Sequence, residues 1–170
     1  LTGGIGKGSL DNIKKNDQLS IKRVLINRPN QRLGNTLLIT PLIQEIVKNF
    51  PDVKIDLFVK GKVAPIVFEN YPKVDQIIEL PKKPFKELVD YIKVWFKIKS
   101  KKYDLVINVD KQSSSGRLST SFAKSKYKLF GDEFITNTAQ EIQLHPAQYP
   151  VYQFRKFLEL FDGKINNEVI

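Results

Sequence analysis

The sequence predicts an α/β fold in which a doubly wound parallel sheet carries helices on both faces. Short apolar runs rich in β-branched residues alternate with segments of helical periodicity, and the connections between them are short. Repeated strand–helix–strand units form a parallel sheet that is covered on both sides. The length of 170 residues suffices for one well-buried domain and is too small for two of ordinary size.

Composition excludes several kinds of site. The chain has no cysteine and one histidine, which excludes disulfides, a thiol nucleophile, thiolate metal sites and a His-based metal cluster. The 28 Lys and Arg residues exceed the 18 Asp and Glu residues by ten, and this surplus favours anionic partners such as nucleotides, phosphorylated sugars, nucleic acid or acidic lipid. No apolar run approaches membrane-spanning length, so we expect a cytoplasmic protein. Because methionine is absent and the chain begins with Leu1, we expect an excerpt or a processed product.

The predicted elements follow a Gly- and Lys-rich segment, residues 1–20, which we expect to form a flexible arm. Its stretch GGIGKGS lacks the spacing and the preceding strand of a phosphate-binding loop. Strands are predicted at residues 23–27, 54–59, 74–80, 104–109 and 127–131. Helices are predicted at residues 35–50, 62–70, 84–102, 113–125 and 150–163, and a loop at 132–149. Pro41 either kinks the first helix or marks its first turn.

Topology alone locates a candidate site. Right-handed crossovers between five such strands predict the order 3-2-1-4-5, with the winding direction reversing between strands 1 and 4. Ligands bind outside the carboxyl ends of the strands at that point. The loops at residues 28–35 and 110–116 therefore converge there. They contribute the candidate residues Arg28, Arg32, Gly34, Asn35, Asp110, Lys111, Ser113, Ser114 and Ser115.

The first loop has the chemistry of an anion site. Gly34 can adopt backbone angles closed to other residues and lets a ligand approach the helix start, whose free N–H groups favour an anion. Arg28 and Arg32 add positive charge. An ordinary turn glycine and solvated arginines are the alternative interpretations. The three serines either cap a helix or contact sugar or phosphate, and His145 is expected to be a loop residue.

Several motifs resemble those of a known family. They are RLGN at 32–35, TPL at 40–42, FP at 50–51, YDLVINVD at 103–110 and HPAQYPVYQFRKFLELFDG at 145–163. Over residues 22–163 the chain resembles the ADP-heptose:lipopolysaccharide heptosyltransferases, glycosyltransferase family 9. That resemblance implies the Rossmann-like N-terminal half of a GT-B glycosyltransferase, with an acceptor-side domain at 21–163 and the start of a linker to a donor domain at 164–170.

The resemblance also implies an activity. The family transfers a sugar from a nucleotide-sugar donor to a lipopolysaccharide-like or other glycan acceptor, with inversion and with no metal or cofactor. The isolated chain is expected to be inactive, because most donor contacts in the family come from the other domain.

Asn35 departs from the family pattern, which has an acid at this position. A neutral amide cannot take up a proton from an acceptor hydroxyl. Three accounts remain open: Asp110 replaces the acid, the enzyme works without a strong base, or the protein is a catalytically inactive relative that binds glycan. The alternative for Asp110 is a loop carboxylate paired with Lys111 or Arg32.

The predicted helix at 84–102 is basic and amphipathic. Such a helix either lies on an anionic membrane surface, here the inner face of the cytoplasmic membrane, or covers the sheet and exposes its lysines to solvent. A basic nucleic-acid-binding α/β domain is the rival class. It is disfavoured because the aromatic residues lie mostly in apolar periodic segments rather than among Lys and Arg.

Overall fold

A computed structural model describes residues 18–81, 86–134 and 144–161, together with Leu10 and Ile13. Within these ranges the strands are β1 Arg23–Arg28, β2 Lys54–Lys60, β3 Val74–Leu80, β4 Lys102–Asn108 and β5 Lys124–Leu129. The helices are α1 Leu33–Leu37, α2 Thr40–Asn49, α3 Val63–Phe68, α4 Leu88–Ser100, α5 Ser114–Phe122 and α6 Gln148–Glu159.

The five strands form one parallel sheet in the order β3-β2-β1-β4-β5, which confirms the predicted topology. The direction of winding reverses between β1 and β4, and the last register pair of these strands joins Asn27 to Asn108. The carboxyl ends of the two central strands therefore lie side by side.

The two faces of the sheet are covered unequally. One face packs against α2, α3 and α6 in a large core that includes Leu42, Phe68 and Phe154. The other face packs against α4 in a smaller core around Ile98, with Tyr91 and Val94 at its edge. Burial of apolar surface at roughly 25 cal/mol per Å² makes the first core the main source of stability.

The helix predicted at 35–50 is divided into α1 and α2, and Pro41 stands in the first turn of α2. Proline is tolerated there because the first helical N–H groups have no intrahelical partner. The helix predicted at 84–102 corresponds to α4, and its predicted carboxyl end was wrong, because Lys102 is the first residue of β4. Residues 82–85, where that helix was expected to begin, lie outside the described residues.

The fifth strand begins at Lys124, three residues before its predicted start. Lys124 and Lys126 point to solvent while Tyr127 and Leu129 are buried, as expected of a polar strand at the edge of a sheet. Most of the arm at 1–20, including GGIGKGS, and all of 164–170 lie outside the described residues. The described side chains of Leu10, Ile13 and Leu19 pack against the larger core.

Candidate functional site

The side chain of Arg28 joins the two loops at the switch point. Arg28 ends β1, and its Nη2 donates a hydrogen bond to Asn35 Oδ1 at 3.3 Å. Its Nη1 lies 3.7 Å from Asp110 Oδ2, beyond the end of β4. The predicted convergence of the loops at 28–35 and 110–116 is therefore confirmed, and Asn35 and Asp110 share one guanidinium.

Arg28 is a desolvated cation. Its side chain is 12% exposed. Burial lowers the pKa of the guanidinium from its ordinary value, and the carboxylate of Asp110 acts in the opposite direction. Within the described residues, the buried Nε has no hydrogen-bond partner. A buried donor left without a partner is costly, and burial also makes the contacts of this guanidinium stronger than they would be in water.

The carboxylate of Asp110 is oriented by its own loop. Its Oδ1 accepts a hydrogen bond from the backbone N–H of Gln112 at 3.0 Å. The backbone carbonyl of Asp110 accepts hydrogen bonds from Asn108 Nδ2 at 2.8 Å and from the N–H of Ser113 at 2.9 Å. The side chain is 37% exposed. The separation of 3.7 Å from Arg28 exceeds hydrogen-bond length, so Oδ2 can still accept a proton or a hydrogen bond from a ligand.

Two buried asparagines lie beneath the site. Asn27 donates from Nδ2 to Thr120 Oγ1 at 2.7 Å, and Asn108 donates to the carbonyl of Phe130 at 2.9 Å as well as to that of Asp110. The backbone of Gly116 passes so close to Asn108 that a Cβ there would lie 2.2 Å from Asn108 Oδ1. Asn108 therefore holds the loop of Asp110 against the segment that follows β5, with the backbone of Gly116 packed closely on its amide. Sequence reasoning missed this pair, although Asn27 is the last residue but one of β1 and Asn108 ends β4.

An open pocket of about 320 Å³ lies against Arg28 and Asp110. Lys111 and Tyr149 line its far side, with Lys111 Nζ 5.3 Å from the centre of the Tyr149 ring. The remaining lining residues are Val109, Gln112, Leu144 and Pro146. Cations, a carboxylate and an aromatic ring in a pocket of this size suit a polar, anionic ligand. Sequence reasoning missed Tyr149, which comes from the start of α6 and carried no local signal.

Gly34 does not use its freedom to adopt a positive φ. Gly34 lies within α1, and the glycines with positive φ among the described residues are Gly61 and Gly131. Nothing lies within 4 Å of a Cβ built at Gly34, so the space that a ligand needs there is nevertheless open. Because α1 has five residues, the partial charge at its start is weaker than expected for the long helix predicted at 35–50.

The other predicted residues lie around this cluster. Arg32 is exposed and precedes α1 as its N-cap residue. Ser113 caps α5, since its Oγ accepts a hydrogen bond from the N–H of Gly116 at 3.1 Å. Ser114 and Ser115 lie in the first turn of α5.

His145 lies in the loop before α6, as expected, and its Nδ1 accepts a hydrogen bond from the N–H of Ala147. Among the described residues, no group of three or more His, Asp or Glu side chains is placed to hold a metal ion. In the same part of the chain, no helix has the length and apolarity needed to span a membrane.

Comparison with known proteins gives both a sequence and a fold likeness. No protein-family model matches the chain. Lipopolysaccharide heptosyltransferase 3 of Escherichia coli is 32% identical over 82 residues, which are 46% of this chain and 24% of that protein. The protein of the same name from strain K12 matches with the same identity and coverage. The chain thus spans about a quarter of the length of these curated relatives.

Solved structures share the fold. E. coli heptosyltransferase WaaC with ADP has a TM-score of 0.67 at 18% identity, over 85% of this chain and 49% of that one. A glycosyltransferase of family 9 from Veillonella parvula has a TM-score of 0.60 at 18% identity, over 91% and 47%. Coverage of about half of each solved chain fits one of the two Rossmann-like domains of a GT-B protein. The sequence match and the shared fold together confirm that this chain resembles the ADP-heptose:lipopolysaccharide heptosyltransferases of glycosyltransferase family 9.

Proposed function

We propose that this chain is the acceptor-side domain of a glycosyltransferase of the heptosyltransferase type. It holds a lipopolysaccharide-like or other glycan acceptor while a nucleotide-sugar donor, bound mostly by a second domain, supplies the sugar. The observation that carries the proposal is the cluster of Asn35, Arg28 and Asp110 at the switch point. The structure of WaaC with ADP-2-deoxy-2-fluoro heptose, similar in fold with a TM-score of 0.56, supports a nucleotide-sugar donor.

The cluster suits an inverting transfer. The acceptor hydroxyl attacks the anomeric carbon, a glycosidic bond forms, and the bond to the nucleoside diphosphate breaks. The proton of the hydroxyl passes to Asp110. Asn35 can donate and accept hydrogen bonds, so it orients the hydroxyl without taking the proton. General base catalysis of this kind typically contributes about 10²–10⁴-fold.

In this proposal Arg28 binds and positions the acceptor and takes no part in the proton transfer. Its guanidinium contacts both Asn35 and Asp110, and the residue lines the pocket. Lys111 places a second positive charge above Tyr149. An acceptor with carboxylate or phosphate groups matches these charges. Arg32, Gly34 and the three serines border the same loops and complete the proposed acceptor contacts.

Binding of a soluble anionic core oligosaccharide, followed by heteronuclear NMR, tests the acceptor assignment. The largest shifts are expected at Arg28, Asn35 and Lys111. Arg28→Lys should weaken binding by about tenfold or more, because an ammonium cannot reproduce the planar contacts of a guanidinium. The matched Lys54→Arg, at the exposed amino end of β2 and away from the site, should leave binding unchanged. Shifts confined to another surface would contradict the acceptor site.

Transfer itself is tested with a form of the chain joined to a donor domain. Mass spectrometry of the glycan should show addition of one sugar from the nucleotide-sugar donor. Glycan binding without any transfer would instead identify the catalytically inactive relative. Within the described residues both faces of the sheet are covered by helices, so no exposed sheet offers the aromatic platform of many nucleic-acid binders. Tight, strongly salt-dependent binding to RNA or DNA would nevertheless support that rival.

The proposed acceptor is lipid-linked. The protein would therefore act at the inner face of the cytoplasmic membrane, which it reaches from the cytoplasm. Peripheral contact with an anionic bilayer follows from the net charge of +10.

A further inference from the structure

Helix α4 carries more apolar surface than it needs to cover the sheet. Its inward face places Tyr91, Val94 and Ile98 on the smaller core. A second apolar row faces solvent, with side chains 46–68% exposed. This row consists of Leu88, Val89, Ile92 and Phe96. A helix that only covers a sheet needs one apolar stripe, so the outward row has no role in this fold.

Helix α5 continues the outward row. Leu118 and Phe122, one helical turn apart, are 49% and 39% exposed. The ring of Trp95 lies 5.6 Å from that of Phe122 and 6.0 Å from that of Phe58, so it links the two helices above the core. We call these six exposed residues of α4 and α5, Leu88, Val89, Ile92, Phe96, Leu118 and Phe122, the α4–α5 surface.

Lysines surround the α4–α5 surface. Residues 86–100 contain four lysines, Lys86, Lys93, Lys97 and Lys99, against the two acids Glu87 and Asp90. All four lysines are exposed. Lys99 Nζ lies 5.0 Å from the centre of the Phe122 ring, so a positive charge stands directly over the apolar side chains.

We propose that the α4–α5 surface docks onto an anionic lipid bilayer. Apolar side chains flanked by flexible lysines match the boundary between acyl chains and phosphate headgroups, because each lysine can keep its ammonium among the phosphates while its stem stays apolar. The proposal deepens the peripheral membrane contact of the proposed function. It does not depend on sugar transfer, because the surface has no residue in common with the candidate site.

This docking orients the site. Helix α5 begins beside Asn108 and Asp110 with Ser113 as its cap, and it ends at Phe122 in the α4–α5 surface. Nine residues of helix span about 13 Å. Because the α4–α5 surface runs along both helices, their axes lie close to the plane of the bilayer, and the pocket at the start of α5 lies beside this surface, about one such length from Phe122.

The single tryptophan of the chain reports on docking without any mutation. Trp95 lies under the α4–α5 surface, in contact with the ring of Phe122. Vesicles of 30% phosphatidylglycerol in phosphatidylcholine, with bromine on the acyl chains, should quench its fluorescence. Brominated vesicles of pure phosphatidylcholine should quench it much less. Binding without quenching would show that another surface touches the bilayer and would overturn the proposal.

Sedimentation with the same vesicles separates the apolar from the charged contribution. Ile92→Ser with Phe96→Ser should lower the partition coefficient by about tenfold or more. Ile66→Ser, at a 76% exposed residue of α3 on the opposite face, should leave it unchanged. Lys86→Gln and Lys97→Gln should each lower it by about fivefold at low salt, while Lys22→Gln and Lys62→Gln serve as controls.

Circular dichroism verifies that each variant is folded. If a variant does not fold, the quenching of Trp95 fluorescence in the unchanged protein still tests the proposal. Equal binding to anionic and neutral vesicles, or no effect of the Ile92 and Phe96 changes, would overturn the proposal. A concentration-dependent dimer that these changes abolish, with no vesicle binding, would overturn it in favour of a second copy of the chain.

Discussion

Arg28 and Asp110 face each other across the line where the sheet reverses its direction of winding, with Nη1 3.7 Å from Oδ2. The two residues are far apart in sequence: Arg28 ends β1, and Asp110 is the second residue after the end of β4. The same guanidinium holds Asn35 at 3.3 Å. One cation therefore contacts both the proposed base and the amide that would orient the acceptor hydroxyl.

Asp110→Asn should lower the turnover of an active parent by at least about tenfold, because the amide cannot accept the acceptor proton. The fold should be unaffected, since Asn can still accept the hydrogen bond from the N–H of Gln112. Steady-state kinetics and a thermal melt measure the two effects. Asp52→Asn, in an exposed turn, is the control, and an unchanged rate for Asp110→Asn would remove Asp110 from the proposed mechanism.

Asn35→Asp should restore or raise the rate if the turn has the geometry of the family. The new carboxylate would lie against Arg28 Nη2, where a charge-assisted hydrogen bond replaces a neutral one. The rate of sugar transfer at saturating donor is the measurement. Asn30→Asp adds the same charge to the same loop, where the side chain accepts a hydrogen bond from the N–H of Arg32 and not from the Arg28 guanidinium, and it should not raise the rate. If neither this change nor Asp110→Asn alters an active parent, the proton goes elsewhere.

Gly116→Ala should destabilise the domain by about 1–3 kcal/mol, the usual range for overpacking. The new methyl would lie 2.2 Å from Asn108 Oδ1, and Asn108 cannot move without losing its bonds to the carbonyls of Asp110 and Phe130. Urea unfolding measures the free energy. Gly34→Ala is the matched control, because it meets nothing within 4 Å and should be neutral or stabilise by up to about 1 kcal/mol. Equal effects of the two changes would contradict the packing at Gly116.

Tyr103→Phe should change how stability depends on pH in the alkaline range. Burial, and next the charge of Asp56, raise the pKa of the Tyr103 hydroxyl above its ordinary value of 10.0, and its Oη donates to Asp56 Oδ2 at 3.0 Å. The unfolded chain therefore loses this proton first. The stabilisation is complete below pH 10 and declines as the pH rises above it, by about 1.4 kcal/mol per pH unit.

Urea unfolding between pH 8 and pH 11 compares the parent with the variant. At pH 8 Tyr103→Phe should cost about 1 kcal/mol through the lost hydrogen bond. Above pH 10 this difference should shrink, because the variant lacks the titrating group. Tyr71→Phe controls for the loss of a hydroxyl elsewhere. Parallel curves for the parent and Tyr103→Phe over the whole range would contradict the assignment.

The sequence by itself determined the class of fold, and it predicted the strand order and the meeting of the two loops that form the candidate site. Apolar β-branched runs and helical spacing are local properties, and the right-handed crossover then reduces the possible strand orders to a few, of which 3-2-1-4-5 is a common one. The loops of Arg28 and Asp110 could therefore be brought together before any coordinates were known. Helix ends were less accurate, as at Lys102, because neighbouring strands extend an element by hydrogen bonds that local spacing does not record.

Only the tertiary structure decided which side chains share the site. Tyr149 reaches the pocket from a helix more than thirty residues after Asp110, and the conformation of Gly34 depends on where α1 begins. The outward row of α4 was equally hidden. A helical pattern gives the apolar side chains but not which of them the sheet will cover. Ile98 is buried against the sheet, whereas Phe96, two residues earlier, is 68% exposed. Burial depends on what packs opposite, which is a property of the assembled chain.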